Sequence, residues 1–258
     1  MIVVGVGASA GGLAAFESFF SGLPADSEPG MSFVLVQHLA PHHKSMLTEI
    51  ICRYTCMEVM QVEDGMVVRK NCAYIIPPNS DMALFNGSLQ LFEQPSPRGQ
   101  RLPIDFFFRS LAEDQGDRSI GIVLSGTGSD GTLGIRAIKK QGGMVLAQTP
   151  SSTEHNGMPK SAIATGLVDY VLAPAEMAGQ LIRYVASAFG RSLALSQVQP
   201  IGSDQTLRKV FILLRARTGH DFSGYKPNTI YRRIGRRIAM HQLESLDDYL
   251  KYMNQTPS

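Results

Sequence analysis

Three polar residues of this chain have the types that acyl-transfer chemistry needs: Ser9, His38 and Asp130. Ser9 stands in the stretch Gly7, Ala8, Ser9, Ala10, Gly11, a G-x-S-x-G pattern whose small neighbours let a serine project from a sharp strand-to-helix turn. A histidine can take the serine proton and return it to the leaving group while a carboxylate fixes the imidazole tautomer, and the set works in any chain order. Two other readings of the turn stand beside this one. GVGASAGG approximates the G-x-G-x-x-G phosphate cradle, but counted from Gly5 or Gly7 its third position falls on Ala10 or Gly12. Where a dinucleotide fold wants an acid at the end of its second strand, the chain offers Gln37 and His38. A serine at a helix start also serves simply as a turn or cap residue, and aspartate in SDG is an ordinary turn former. QHLAPHH groups His38, His42 and His43, yet no acid or cysteine lies close in sequence and Pro41 interrupts them, so no metal site is expected.

Residues scattered over 120 positions act together only if the fold gathers them. MIVVG reads as a buried strand, GASAGG as a glycine turn and LAAFESFFSGL as a helix with an apolar stripe at Leu13, Phe16, Phe19, Phe20 and Leu23. MSFVLVQ follows one crossover later and ends at His38, the spacing of a βαβ unit with parallel strands. From Glu58 to Glu93 short alternating segments with EDG, KN and NG turn signals predict an antiparallel insertion, with a hairpin centred on Asn86 and Gly87. IDFFFRSLAEDQG is helical, and SIGIVLSGTGSDGTLGIRAIKKQGG repeats the strand, glycine turn, helix order of the opening. MVLAQ, LVDYVLA and PAEMAGQLIRYVASAF continue the alternation. The expected fold is α/β: a doubly wound, mostly parallel sheet with helices on both faces, an antiparallel hairpin insertion and a small all-α domain at the C-terminal end. In such a sheet the carboxyl ends of the strands meet at one crevice, and Ser9, His38 and Asp130 all stand at such ends.

Length and composition set the frame. The 258 residues, 44% of them hydrophobic, suffice for one sizeable core and a smaller appendage. No apolar run approaches the roughly 20 residues of a membrane span, and the opening lacks the basic flank of a signal peptide, so a cytoplasmic protein without membrane insertion is expected. Cys52, Cys56 and Cys72 are too few for a disulfide framework and read as reduced thiols. The net charge of +2 is uneven: residues 1–203 hold 14 basic against 17 acidic side chains, residues 204–258 hold 10 against 5. A boundary is expected in the aperiodic stretch 191–204, between a domain at 1–190 and a helical domain at 205–258.

Several motifs together identify a resemblance. GASAGG, VQHLAP, VEDGMVV with AYIIPPN, LSGTGSDGTLG, GGMVLAQ and NGMPKSAIATG, in this order and spacing, resemble the catalytic domain of the CheB-type chemoreceptor methylesterases over residues 1–190. The resemblance implies that Ser9 is the nucleophile, His38 the general base and acid, and Asp130 the orienting carboxylate. Backbone N–H groups of Ala10 and Thr127 are implied as an oxyanion hole, at positions where the family usually carries Thr and Met. The implied reaction is hydrolysis of glutamyl methyl esters on receptor signalling helices, with deamidation of receptor glutamines as a second activity and with no cofactor. FILLRARTGHDFSGYKPNTIYRRIGRRIAMHQLESLDDYLKYM resembles the N-terminal helical domain of CheR-type methyltransferases, so the chain looks like the front of a fusion in which methyltransferase activity is not expected. The receiver domain that usually precedes the methylesterase is not in this sequence, and gating by phosphorylation within the chain is not assumed. A catalytically silent or autoinhibited binding module of the same fold is the alternative.

In IYRRIGRRIAM, Arg232, Arg233, Arg236 and Arg237 recur at helical spacing beside Ile230, Ile234 and Ile238, giving one strongly basic flank. A solvated face is the simplest reading, and nucleic-acid binding lacks interleaved aromatics or a reader fold. The resemblance favours docking on acidic methyl-accepting helices.

Overall fold

A computed structural model describes residues 1–24, 28–37, 47–93, 102–190, 204–222, 224–225 and 227–256. They form two compact units, Met1–Gly179 and Gln180–Ser258.

The first unit is built on β1 (Ile2–Ala8), buried at every residue, and β2 (Met31–Gln37), which runs parallel to it from the pair Ile2–Met31 to the pair Ala8–Gln37. The crossover carries α1 (Gly12–Ser21), which buries Phe16, Phe19 and Phe20 of the expected stripe, whereas Leu13 is exposed and Leu23 lies beyond the helix end. Next come β3 (Glu58–Gln61), β4 (Met66–Val67), β5 (Cys72–Ile75), β6 (Ser80–Phe85) and β7 (Ser88–Glu93), preceded by the short α2 (Leu47–Ile51). The second half alternates α3 (Pro103–Gln115), β8 (Ser119–Val123), α4 (Thr132–Lys140), β9 (Met144–Gln148), α5 (Gly157–Ala164) and β10 (Tyr170–Leu172).

Seven strands form one sheet in the order β10-β9-β8-β1-β2-β5-β3, with every pairing parallel, and β4, β7 and β6 form a separate antiparallel sheet. The insertion is therefore smaller than the sequence texture over Glu58 to Glu93 suggests, because β3 and β5 belong to the main sheet. All four residues of β5 are buried, and a strand covered on both faces reads as a continuous apolar run rather than as an alternation. The hairpin falls where expected: Asn86 (φ 48°) and Gly87 (φ 75°) both lie in the left-handed region, as a two-residue loop of the type favoured between antiparallel strands requires.

The two faces of the sheet can be told apart from its packing. Phe33, which pairs with Val4, meets Phe19 and Phe20 of α1 in edge-to-face contacts with centroids 5.7 and 5.8 Å apart. Gly7 points to the opposite face, where α3 lies so close that a side chain would collide with Ile104. Gly5 and Gly7 are thus spacers for helix packing inside an extended strand, which accounts for the first glycines of GVGASAGG without a phosphate. From β1 the chain winds outward to β3 on one side and returns to β8 on the other. The reversal places a switch point between the carboxyl ends of β1 and β8, where open parallel sheets hold their ligands.

At the boundary of the two units runs α6 (Pro174–Val185), prolonged by a π-helical turn to Gly190. The second unit continues with α7 (Asp204–Thr218), α8 (Pro227–Met240) and α9 (Leu246–Gln255) around a small core of Leu207, Val210, Ile230, Ile234 and Met253. Ser245 caps α9 by accepting from the Asp248 N–H at 3.1 Å, and Asp247 and Asp248 occupy its first turn, favourable at the positive end of a helix dipole. No helix among the described residues is long and apolar enough to cross a membrane.

Candidate active site

The turn after β1 is short. Ser9 and Ala10 lead to Gly11, which caps α1 in the left-handed conformation (φ 70°, ψ 6°), a backbone state that glycine adopts without the penalty other residues meet. The Ser9 carbonyl accepts the Gly12 N–H at 2.9 Å, closing the turn so that the helix starts three residues after the serine. Ser9 itself is half-buried. The first turn of α1 contains no acidic residue and no side chain caps it, so the partial positive charge at its N-terminus is not offset by a carboxylate of its own helix.

The turn after β8 is longer, running from Leu124 to Gly131, and it lies against the first one. Leu124 donates its N–H to the Gly7 carbonyl at 2.8 Å, and Ser9 donates its N–H to the Ser125 carbonyl at 2.8 Å. These bonds prolong the β1–β8 pairing past the last strand residues. The Ser125 hydroxyl reaches back to the Ala10 carbonyl at 2.7 Å and lies 2.7 Å from the Thr153 hydroxyl, while Gln148, at the end of β9, accepts the Ser125 N–H at 2.8 Å. A side chain at Gly126 would collide with Met158 and stand 3.0 Å from the Ser9 Cβ, so the two turns are in direct contact. Among the described residues neither the Ala10 nor the Thr127 backbone N–H is given to a protein acceptor, and Thr127 is exposed.

Asp130 is only 2% exposed. Its Oδ1 accepts the N–H groups of Asp105 at 2.9 Å and Gly131 at 2.8 Å, and its Oδ2 accepts that of Ile104 at 3.0 Å. A carboxylate taking several backbone N–H bonds is stabilised in its charged form and held in one orientation. Two of the three donors belong to the first turn of α3, whose own N-cap, Leu102, makes no side-chain cap bond. Asp105 is equally buried, and burial pushes its carboxyl above the ordinary aspartate range despite the hydrogen bond it accepts from Gly134.

Of the residues singled out in the sequence, Ser9, Ala10, Thr127 and Asp130 stand on these two adjoining turns. His38 lies outside the described residues, as do His42 and His43. Ala8 and Gln37 are paired at the carboxyl ends of β1 and β2. No group of three or more His, Cys, Asp or Glu among the described residues is placed to hold a metal ion.

Sequence reasoning passed over Ser125, Gln148, Thr153 and Asp105. Ser125 and Gln148 were within reach of the rule applied to Ser9, since Gln148 ends a buried apolar strand and Ser125 follows the apolar run that Leu124 closes. Asp105 carried no such signal, because an acid in the first turn of a helix reads as a partner for that helix's own dipole. A cavity of about 430 Å³ adjoins the first turn, lined by Gly11, Ala14, Ala15, Ser18, Gln148 and His155 among others, and Ser9 is not part of its wall.

In the second unit, Arg233 and Arg237 are exposed one turn apart on α8. Arg236 is half-buried, with its guanidinium 5.4 Å from the centre of the Phe189 ring. The Arg232 side chain lies outside the described residues, although its backbone belongs to α8.

Comparison with known proteins accords with this arrangement. Residues 4–181 match the family described as CheB methylesterase, and residues 205–258 match the all-alpha domain of CheR methyltransferase. The chain is 33% identical over 230 residues to an uncharacterized 104.1 kDa protein of Rhodobacter capsulatus, covering 80% of this chain and 24% of that protein. It is 32% identical over 199 residues to a protein-glutamate methylesterase/protein-glutamine glutaminase of Moorella thermoacetica, covering 72% of this chain and 45% of the relative. With the protein of that name from Pyrococcus horikoshii it shares 35% identity over 175 residues, 66% of this chain and 47% of the relative. The chain thus spans less than half the length of these curated relatives. Among solved structures, the CheB methylesterase catalytic domain of Thermotoga maritima superposes with a TM-score of 0.64 at 30% identity, over 70% of this chain and 97% of that one.

Proposed function

Because the chain belongs to the CheB methylesterase family, we propose that its parallel-sheet unit is a serine hydrolase that removes methyl esters from glutamate side chains of chemoreceptor-type proteins, in chemotaxis-like signal adaptation. The observation that carries this reading is the meeting of the two turns at the switch point. One bears a half-buried serine at a helix N-terminus, the other a buried carboxylate fixed by three backbone N–H groups.

In this mechanism Ser9 Oγ attacks the ester carbonyl while His38 takes its proton. The tetrahedral intermediate collapses with transfer of that proton to the departing methoxide, so methanol leaves and an acyl-enzyme remains. Water, deprotonated by His38, then attacks the acyl carbon, and the carboxylate is released as the proton returns to Ser9. Asp130 holds the imidazole in the tautomer that presents a basic nitrogen to Ser9. The oxyanion would be met by the N–H groups of Ala10 and Thr127, with the uncompensated N-terminus of α1 behind them. The same steps act on a glutamine side chain with ammonia as leaving group, in keeping with the double name of the relatives.

The helical unit would bring the substrate. Arg233 and Arg237, exposed one turn apart on the same helix, would offer a basic flank suited to acidic methyl-accepting helices. Charge pairing of this kind weakens as salt rises, because the screening length is only about 8 Å at physiological ionic strength. The test is methanol release from methylated chemoreceptor signalling helices, with Ser9→Ala as the matched control. Release that vanishes in the variant is the expected result, and release that survives Ser9→Ala would overturn the assignment.

A further inference from the structure

The N-termini of α3 and α4 exchange carboxylates. Neither helix has a side-chain cap of its own, since their N-caps are Leu102 and the left-handed Gly131. Each instead receives an acid from the other's neighbourhood. Asp130, just ahead of α4, accepts the Ile104 and Asp105 N–H groups of α3. Asp105, in the first turn of α3, accepts the Gly134 N–H of α4, and that contact is closer, at 2.6 Å. The two side chains are joined through one residue, because Asp105 donates its backbone N–H to Asp130 while its carboxylate accepts from α4.

We infer that Asp105 is a positioning residue for the methylesterase reaction: by tying the N-terminus of α4 to that of α3 it fixes the plane of the Asp130 carboxylate and hence the aim of His38. This rests on the proposal that Ser9, His38 and Asp130 form the triad. Asp130 sits on a glycine-rich loop, and its anchors are backbone N–H groups of a separate helix, so their position depends on how α3 docks against α4. Van der Waals contact between the helices limits their separation but resists sliding weakly. A charge-assisted hydrogen bond that Asp105 accepts from the Gly134 N–H of α4 is directional and resists it strongly. Only 2% of Asp105 is exposed, and its ionised form is held there at a desolvation cost. The neighbouring Phe107 and Phe108 of α3 are fully buried in the core, so an apolar residue would suit this face if packing were all that mattered.

The experiment compares Asp105→Asn, Asp105→Ala, Asp130→Asn and the double variant Asp105→Asn/Asp130→Asn in the full chain, using a synthetic peptide that carries a glutamate γ-methyl ester. Asp130→Asn is expected to lower kcat by about 10⁴-fold. The Asp105 variants are expected to lower kcat by roughly 10- to 100-fold with KM nearly unchanged, the loss that a displacement of about 1 Å in a catalytic group produces. The double variant should lose little beyond Asp130→Asn alone, since residues that act through one another are not additive. Wild-type kcat in a folded Asp105 variant overturns the inference. So does a full additional loss in the double variant, or collapse of the native near-ultraviolet spectrum in Asp105→Asn, which would place the residue in the fold rather than in the aim of Asp130. If Asp130→Asn itself keeps wild-type kcat, the triad reading fails first, and the two failures are told apart by that single variant.

Discussion

The chain uses one backbone device twice, with opposite results. After β1 and again after the neighbouring β8, a left-handed glycine, Gly11 or Gly131, turns the chain into a helix that has no side-chain cap. The first turn leaves Ser9 half-buried at the mouth of the crevice, while the second sinks Asp130 until it is 2% exposed. What differs is the partner packed on each turn. Across the first lies the polar backbone of the second, so the serine stays at the surface between loops. Across the second lies the N-terminus of α3, whose open N–H groups draw in a carboxylate and satisfy it. Two turns of the same kind therefore leave a serine half-buried in one place and a carboxylate sequestered in the other.

The largest effect that could break this comparison concerns the two serines at the ends of adjacent strands. Ser9→Ala is expected to reduce methyl ester hydrolysis by about 10⁴- to 10⁶-fold. Ser125→Ala, whose hydroxyl clasps Ala10 and Thr153, should instead act on stability, by about 1 kcal/mol for the partly buried hydrogen bonds it removes. Steady-state assays beside denaturant melts separate the two, and a reversal of roles would show that the nucleophile sits on the other turn.

A smaller effect concerns the two glycines. Alanine at either position should cost about 1 to 2 kcal/mol for the left-handed conformation alone. Gly11→Ala should cost more than Gly131→Ala, because a Cβ at Gly11 would stand 2.6 Å from the Ser125 hydroxyl, whereas at Gly131 the nearest atoms are methyl groups 3.2 and 3.3 Å away. Equal urea midpoints for the two variants would mean that the contact between the turns relaxes freely.

The smallest effect sharpens the contrast between the paired acids. Burial raises the Asp105 carboxyl above its ordinary range, so the native state binds that proton more tightly than the unfolded chain does. Stability from this group is then present at low pH and lost as pH rises past about 4 through the raised value. Melting wild type and Asp105→Asn in parallel should show the balance moving toward the variant as pH increases across that interval. A constant difference would show that the carboxyl is not under this strain.

Much of the architecture was legible in the chain because it rests on local patterning. The apolar runs of β1, β2, β8 and β9 and the Asn86–Gly87 hairpin follow from which side chains need burial and which residues tolerate a left-handed backbone. The stripe of α1 and the Ser245 cap of α9 have the same origin. The placement of β3 and β5 was not legible, since a short buried strand carries no mark of which neighbour it will pair with. Ser9 and Asp130 could be nominated because strand ends of a parallel sheet converge, whereas Ala10 and Thr127 were implied only by the family resemblance. Arg236 could be nominated only as part of a basic flank, and its seat over Phe189 depends on a contact 47 positions away in sequence.

By itself, then, the sequence determined the alternation of elements, the turns that must carry glycine and the residue types available for acyl transfer, all set by interactions within a few positions of one another. The tertiary structure alone decided that α3 would press on β1 at Gly7, that its first N–H groups would hold Asp130, and that Asp105 would serve α4 rather than its own helix. Those outcomes depend on where two helix ends meet after the sheet has formed, and hydrogen bonds between distant backbone groups leave no local pattern in the chain.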